Sequence, residues 1–312
     1  MSAPTTRVAA FDCGTNSLRL LVADLDPTSG AEHEVLREMR IVRLGEGVDR
    51  TGRISDEAMV RVLAAVDDFA AMARDAGAGA VRFCATSAAR DAANAAEFMT
   101  GVRDRVGVEP EVLAGVDEAR ASYAGATRSL PEAPAPRLVV DIGGGSTELI
   151  LGDEDGRVLA EQSLDVGSVR LTERHLHDDP PTADQVTALE ADVDALLDRC
   201  RVPVGDARTV IGVAGTVTTV AAGVLGLSSY DRTAIHHAVL RREDVAATTR
   251  ALVGMEVSAR RALGYMHPGR ADVIGAGALI LERVLARTTT DSLLVSEHDI
   301  LDGIAWSLVS GA

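Results

Sequence analysis

The stretch 138-LVVDIGGGSTELIL-151, from Leu138 to Leu151, sets three glycines between two apolar runs, with Asp141 and Glu148 at their inner ends. Each run has the length and aliphatic character of a buried strand, and the glycines allow a tight return between them. Successive glycines let a ligand approach the backbone and offer it consecutive N–H groups, which is what cradling phosphate oxygens requires. Ser146 and Thr147 add small neutral donors. A carboxylate beside phosphate is repelled unless a divalent cation lies between them, so Asp141 reads as a ligand of Mg2+ held partly through water. One such turn is equally a plain hairpin, so repetition decides.

The pattern does repeat. Placing Asp12 on Asp141 aligns Phe11-Asp12-Cys13-Gly14-Thr15-Asn16-Ser17-Leu18-Arg19-Leu20-Leu21 with Val140 to Ile150, and Asp, Gly, Ser and the flanking aliphatics match in register. A third glycine turn, Gly215-Thr216-Val217-Thr218, follows the apolar run 210–213. The restart predicts two related domains facing each other across a cleft. Its phosphate donors are Gly14, Thr15, Asn16 and Ser17, then Gly143, Gly144, Gly145, Ser146 and Thr147, then Gly215 and Thr216. Arg19 holds the register position that Glu148 holds in the second hairpin. It reads either as positive charge for phosphate or as an ordinary surface Arg on a strand.

Composition narrows the classes. A chain of 312 residues is long for one core, since domains run to about 100–200 residues. The net charge is -16 and every basic side chain is Arg, which argues against nucleic acid as a partner and excludes a Walker A loop for want of Lys. A phosphorylated small molecule remains compatible where N–H groups and a few arginines make a site locally positive. No run of eighteen apolar residues and no basic n-region precedes an apolar segment, so neither a membrane span nor a secretory signal is read and the cytoplasm is expected. Cys13, Cys84 and Cys200 are widely spaced and odd in number, and read as small core residues.

Along the chain, 8–12 and 18–23 read as a hairpin, 37–44 as a further strand, and Ser55 as the N-cap of a helix over 56–76. Then follow a strand at 80–85, one helical stretch over 87–106, a strand at 111–114 and a helix over 118–128. Three prolines in 130–136 mark a linker, giving domains of 1–130 and 131–312. Strands at 138–141, 148–152 and 158–165 come next, with helices at 169–177 and 182–200 and a strand at 210–213. An Ala-rich helix, a helix over 272–285, a strand at 292–295 and a closing helix over 300–309 complete the chain. His236-His237, His175 and His177 are left without a metal, because neighbours on a regular element face different ways.

Five segments together resemble the exopolyphosphatase and guanosine pentaphosphate phosphohydrolase (Ppx/GppA) family. They are Asp12–Ser17, Thr86-Ser87-Ala88-Ala89-Arg90, Leu113–Arg120, Asp141–Glu148 and Gly215–Thr218, in the family's order and over nearly the whole chain. The resemblance implies the actin/hexokinase/Hsp70 superfamily: an α/β fold of two ribonuclease-H-like (actin-like ATPase) domains, each a mixed sheet flanked by helices, with an interdomain cleft. The closing helix would pack back on the first domain. It also implies roles. Glu118 matches the catalytic glutamate that deprotonates water for in-line attack, although its Ala-rich context alone reads as a solvated helix face. Glu148 matches a second catalytic acid that helps hold water or metal, beside Asp141, and Arg90 an arginine that grips phosphate. Mg2+ or another hard divalent cation and a cytoplasmic homodimer come with the family. Arg43-Leu44-Gly45-Glu46-Gly47-Val48 resembles a family segment near the substrate, and equally a plain strand-to-loop turn.

The expected activity is exopolyphosphatase, releasing orthophosphate from the end of inorganic polyphosphate. The chain stops at Ala312 without the helical extension of longer members, which predicts a preference for short chains. Many members carry Gly and Arg where Asp299 and Leu301 stand. The nearest alternative is hydrolysis of guanosine pentaphosphate, with that alarmone of the stringent response or the tetraphosphate as substrate or inhibitor. An actin-superfamily kinase or ATPase, and a non-catalytic alarmone binder, are the rivals of another kind.

Overall fold

The computed structural model describes residues 5–130 and 132–309, so Pro131 of the proline-rich linker lies outside the described residues. Two compact units form. One holds the chain up to Gly125 together with the segment from Ile300, and the other is Ala126–Asp299.

In the first unit β1 (Thr6–Cys13), β2 (Ser17–Leu25) and β3 (Glu32–Ile41) form an antiparallel meander. After the single-turn α1 (Val48–Thr51) and the long α2 (Asp56–Asp75), β4 (Ala80–Ala85) returns parallel to β1. Then come α3 (Ser87–Asp91), α4 (Ala95–Val106), the short β5 (Glu111–Val112) parallel to β4, and α5 (Gly115–Thr127). The sheet order is β3-β2-β1-β4-β5. Because side chains alternate across a strand, the unbroken apolar run of β1 feeds two faces. Ala9, Phe11 and Cys13 pack with Leu18, Leu20 and Val22 beneath Val62, Val66 and Phe69 of α2. Val8 and Ala10 pack with Leu21, Ala23 and Leu25 beneath Ile304, Ala305 and Trp306 of the closing helix. That helix is tied down by an ion pair between Arg37 and Asp302 and by a 2.8 Å bond from Trp306 Nε1 to Glu32.

The second unit repeats the plan. β6 (Arg137–Ile142), β7 (Thr147–Gly152) and β8 (Val158–Leu164) make an antiparallel meander, followed by α6 (Ser168–His175) and α7 (Ala183–Leu197). β9 (Thr209–Val213) lies parallel to β6 and runs into α8 (Ala214–Val224). α9 (Arg232–Ile235), β10 (Val239–Arg241), α10 (Arg242–Gly254), α11 (Val257–Arg261) and α12 (Ile274–Leu285) lead to β11 (Ser292–Val295), parallel to β9. The closing helix of the first unit is α13 (Ile300–Ser307). The order β8-β7-β6-β9-β11 reproduces that of the first sheet strand for strand, with β10 added antiparallel at the β11 edge. Three antiparallel strands followed by two parallel ones are the ribonuclease-H-like pattern, so both units have the expected α/β fold of mixed sheet flanked by helices.

Local signals held where they were self-contained. Ser55 accepts from Ala58 N as the N-cap of α2, and Thr182 and Gln185 close a capping box on α7. The single helix expected over 87–106 is instead two. Asn94 interrupts it, giving its carboxamide to both the N–H and the C=O of Ile54, a tertiary contact that outweighs Ala-rich propensity. The third strand starts earlier than the expected 37–44, at Glu32, and ends at Ile41. No helix among the described residues is long and apolar enough to cross a membrane.

Candidate active site

The two glycine turns are built alike. Gly14 N–H donates to Ser17 O at 2.9 Å, and Gly143 N–H donates to Ser146 O at 3.0 Å. Each closes a hairpin whose last cross-strand pair of acids and bases differs: Asp12 faces Arg19, and Asp141 faces Glu148.

In the first unit, Arg19 grips Asp12 through Nε at 2.9 Å and Nη2 at 2.6 Å, both on Oδ2. The Thr15 hydroxyl and the side-chain Oδ1 of Asn16 are buried without a hydrogen-bond partner, and such orphans fit a ligand. The segment after β3 folds over this turn. Val42 and Arg43 N–H both donate to Asn16 O, and Gly45 N–H donates to Thr15 O. The opposite side is closed by Thr86 N–H on Cys13 O. From the last turn of α3, Arg90 Nη1 reaches Glu118 Oε2 at 2.9 Å and Leu113 O at 2.9 Å. Glu118, in the first turn of α5, is only 7% exposed, which overturns the solvated-face reading its local context suggested. Cys13 and Cys84 are buried, and burial pushes both thiols up, Cys84 to about 12, so neither is a nucleophile at neutral pH.

In the second unit, Asp141 and Glu148 are 6% and 1% exposed. One strand further, Ser163 faces Glu148 and donates its hydroxyl to Oε1 at 2.7 Å. Like charges opposed across a ladder are unfavourable, and hard carboxylate oxygens at a strand end suit Mg2+, which takes one or two carboxylates and keeps several waters. Among the described residues no three His, Cys, Asp or Glu side chains converge as a ready-made metal cage. Thr147 is fully buried and its hydroxyl donates to Val166 O at 2.7 Å. Ser146 is buried in the turn.

The third glycine turn starts α8, where Ala214 takes a left-handed φ of 64°. Arg270 lies against it: a Cβ on Gly215 would come within 2.1 Å of Nη2. Its Nη1 bonds Thr219 Oγ1 at 3.0 Å. The starts of α6 and α8 are neighbours, since a Cβ on Gly277 of α12 would lie 2.6 Å from Thr216 Cγ2 and 3.2 Å from Ser168 Cβ. Sequence reasoning missed Arg270 and Arg170, whose Nε donates to Gly145 O at 2.7 Å. A Pro-Gly turn at 268–269 was the only local signal for Arg270. The paired histidines do not sit on a regular element. With His237 at φ 64°, the His236 and His237 rings stack at 3.6 Å, and His298 lies 4.7 Å from His236.

Fold and site define a phosphate-handling class, and comparison with known proteins agrees. The Ppx/GppA phosphatase family matches residues 21–310. "Exopolyphosphatase 2" of Mycobacterium tuberculosis is 47% identical over 97% of this chain and 98% of its own. Among solved structures, an exopolyphosphatase-like protein superposes with a TM-score of 0.93 at 43% identity, covering 97% of this chain and 98% of that one. The Aquifex aeolicus member of the Ppx/GppA family gives 0.82 at 30% identity, over 99% and 100%. The chain belongs to the Ppx/GppA phosphatase family, and with it to the enzymes that hydrolyse phosphate bonds.

Proposed function

We propose that the chain is an exopolyphosphatase that removes the terminal phosphate of inorganic polyphosphate as orthophosphate, with Glu118 as general base and Mg2+ at Asp141 and Glu148. The observation that carries this reading is the buried Asp141–Glu148 pair beside a turn whose Gly144, Gly145 and Ser146 N–H groups take no backbone acceptor among the described residues. Relatives named as exopolyphosphatases support it.

Phosphoryl transfer to water needs positioning and charge neutralisation more than covalent help. Glu118 accepts the proton of the attacking water, and the Arg90 bond to Oε2 fixes the carboxylate's orientation. The N–H groups of the glycine turn and the orphan Thr15 hydroxyl donate to phosphate oxygens. Gly14, Asn16, Ser17, Gly215 and Thr216 are assigned to substrate on the family pattern, and Arg19 on its register position alone. Mg2+ would neutralise phosphate charge when bound.

Short polyphosphates are the preferred substrates, because a surface of net charge -16 without a single Lys repels a long polyanion. Guanosine pentaphosphate offers the same terminal phosphate, but aromatic residues make up 3% of the chain and leave little to stack a base on. A cytoplasmic homodimer is the setting the family implies. Parallel assays of phosphate release from short polyphosphate, long polyphosphate, guanosine pentaphosphate and ATP separate these substrates. Turnover that rises steadily with chain length removes the short-chain preference.

A further inference from the structure

In a trans peptide the C=O of one residue and the N–H of the next point in opposite directions. Consecutive carbonyls of the 143–146 turn are all held on the same side, by the first turn of α6. Gly143 O accepts from Ser168 N–H at 3.0 Å and from Ser168 Oγ at 3.3 Å. Gly144 O accepts from the N–H groups of Val169 at 2.8 Å and Arg170 at 3.1 Å. Gly145 O accepts from Arg170 Nε at 2.7 Å. The N–H groups in those same peptide planes, of Gly144, Gly145 and Ser146, therefore point away from α6 together. This seating needs glycine at 167, because a Cβ there would lie 2.4 Å from Gly144 O and 2.5 Å from Gly145 N.

We propose that Arg170, with the first turn of α6, is the positioning element of the phosphate-binding turn: it holds the Gly144 and Gly145 carbonyls so that the neighbouring N–H groups face the ligand. The proposal rests on the phosphate-hydrolysing reading above. A helix N-terminus is ordinarily an anion site in its own right. In α6 its leading N–H groups are already given to glycine carbonyls, so its dipole acts through the turn. A carbonyl that accepts such bonds polarises its own amide and strengthens the N–H in the same plane as a donor. Arg170 extends this to the third plane, where its side chain supplies the donor that the helix backbone does not.

Substitution can separate the donor from the charge. In Arg170→Gln the side-chain nitrogen sits the same number of bonds from Cα as Nε, so the donor to Gly145 O is kept and the positive charge is lost. Arg170→Met matches the length without a donor. KM, kcat, inhibition by orthophosphate and melting temperature are measured on the full chain. Loss of one such bond in a binding turn predicts about a tenfold rise in KM for polyphosphate and in the orthophosphate inhibition constant for Arg170→Met, with a smaller change in kcat. Arg170→Gln stays within about threefold of wild type on the same scale. A merely structural Arg170 would lower the melting temperature in both variants and move neither constant. Equal losses in Gln and Met, or wild-type constants in Met, overturn the proposal. If Arg170→Met does not fold, Ser168→Ala carries the test, with about a twofold rise in both constants expected and no rise overturning it. A wild type that cleaves no phosphate substrate fails the functional reading as well, whereas an active wild type matched by Arg170→Met fails this proposal alone.

Discussion

Asp141 on β6 stands directly opposite Glu148 on β7, both buried, whereas the matching position of the first hairpin pairs Asp12 with Arg19. One hairpin neutralises its carboxylate from within, and the other gathers negative charge that a cation can balance. Asp141→Asn relieves the like-charge opposition. Added Mg2+ then stabilises wild type and not the variant. Thermal melts with and without Mg2+ check this, and equal stabilisation of both proteins removes Asp141 from the cation site.

The Asp12–Arg19 pair predicts the opposite response. Arg19→Ala takes a close cation from a buried carboxylate and is expected to cost about 3–5 kcal/mol in urea unfolding. Adding Asp12→Asn to it recovers part of the loss. If Arg19 also meets substrate, KM in the single variant rises more than kcat falls, and an unchanged KM leaves Arg19 with the structural role only.

Much of this was legible because it is local. The hairpin repeat fixed the Asp12/Asp141 and Arg19/Glu148 registers, and the same glycine positions close both turns. The class of fold, two mixed sheets flanked by helices, followed from the restart and the family pattern. What could not be read lies in contacts between distant segments. Arg170 meets Gly145 25 residues away, Arg270 meets Thr219 51 away, and Asn94 breaks its helix for Ile54 40 away. Glu118 looked solvated because its burial beside Arg90, 28 residues away, leaves no trace in an Ala-rich helix. The geometric argument used for the histidine pair does not apply, since facing in different directions presumes regular dihedrals and His237 is left-handed.

His237 gives a pH prediction. Burial first, and the nearby His298 second, lower its pKa from the usual 6.5. Its Nε2 is buried without a hydrogen-bond partner. The folded state thus resists protonation, so the contribution to stability is present above 6.5 and is lost as pH falls through the lowered value. His237→Asn keeps a residue tolerant of positive φ and removes the titration. Wild type is expected to lose melting temperature more steeply than the variant on going from neutral to mildly acidic pH. Parallel curves would show that His237 does not titrate with folding.

The central claim is hydrolysis of a terminal phosphoanhydride with Glu118 as base, and its most direct measurement is orthophosphate release from short polyphosphate by wild type and Glu118→Gln. Wild type is expected to turn over polyphosphate in preference to guanosine pentaphosphate and ATP. Glu118→Gln, with KM and melting temperature near wild type, is expected to lose about 10²–10⁴-fold in kcat. A Glu118→Gln protein that keeps full kcat would contradict the account.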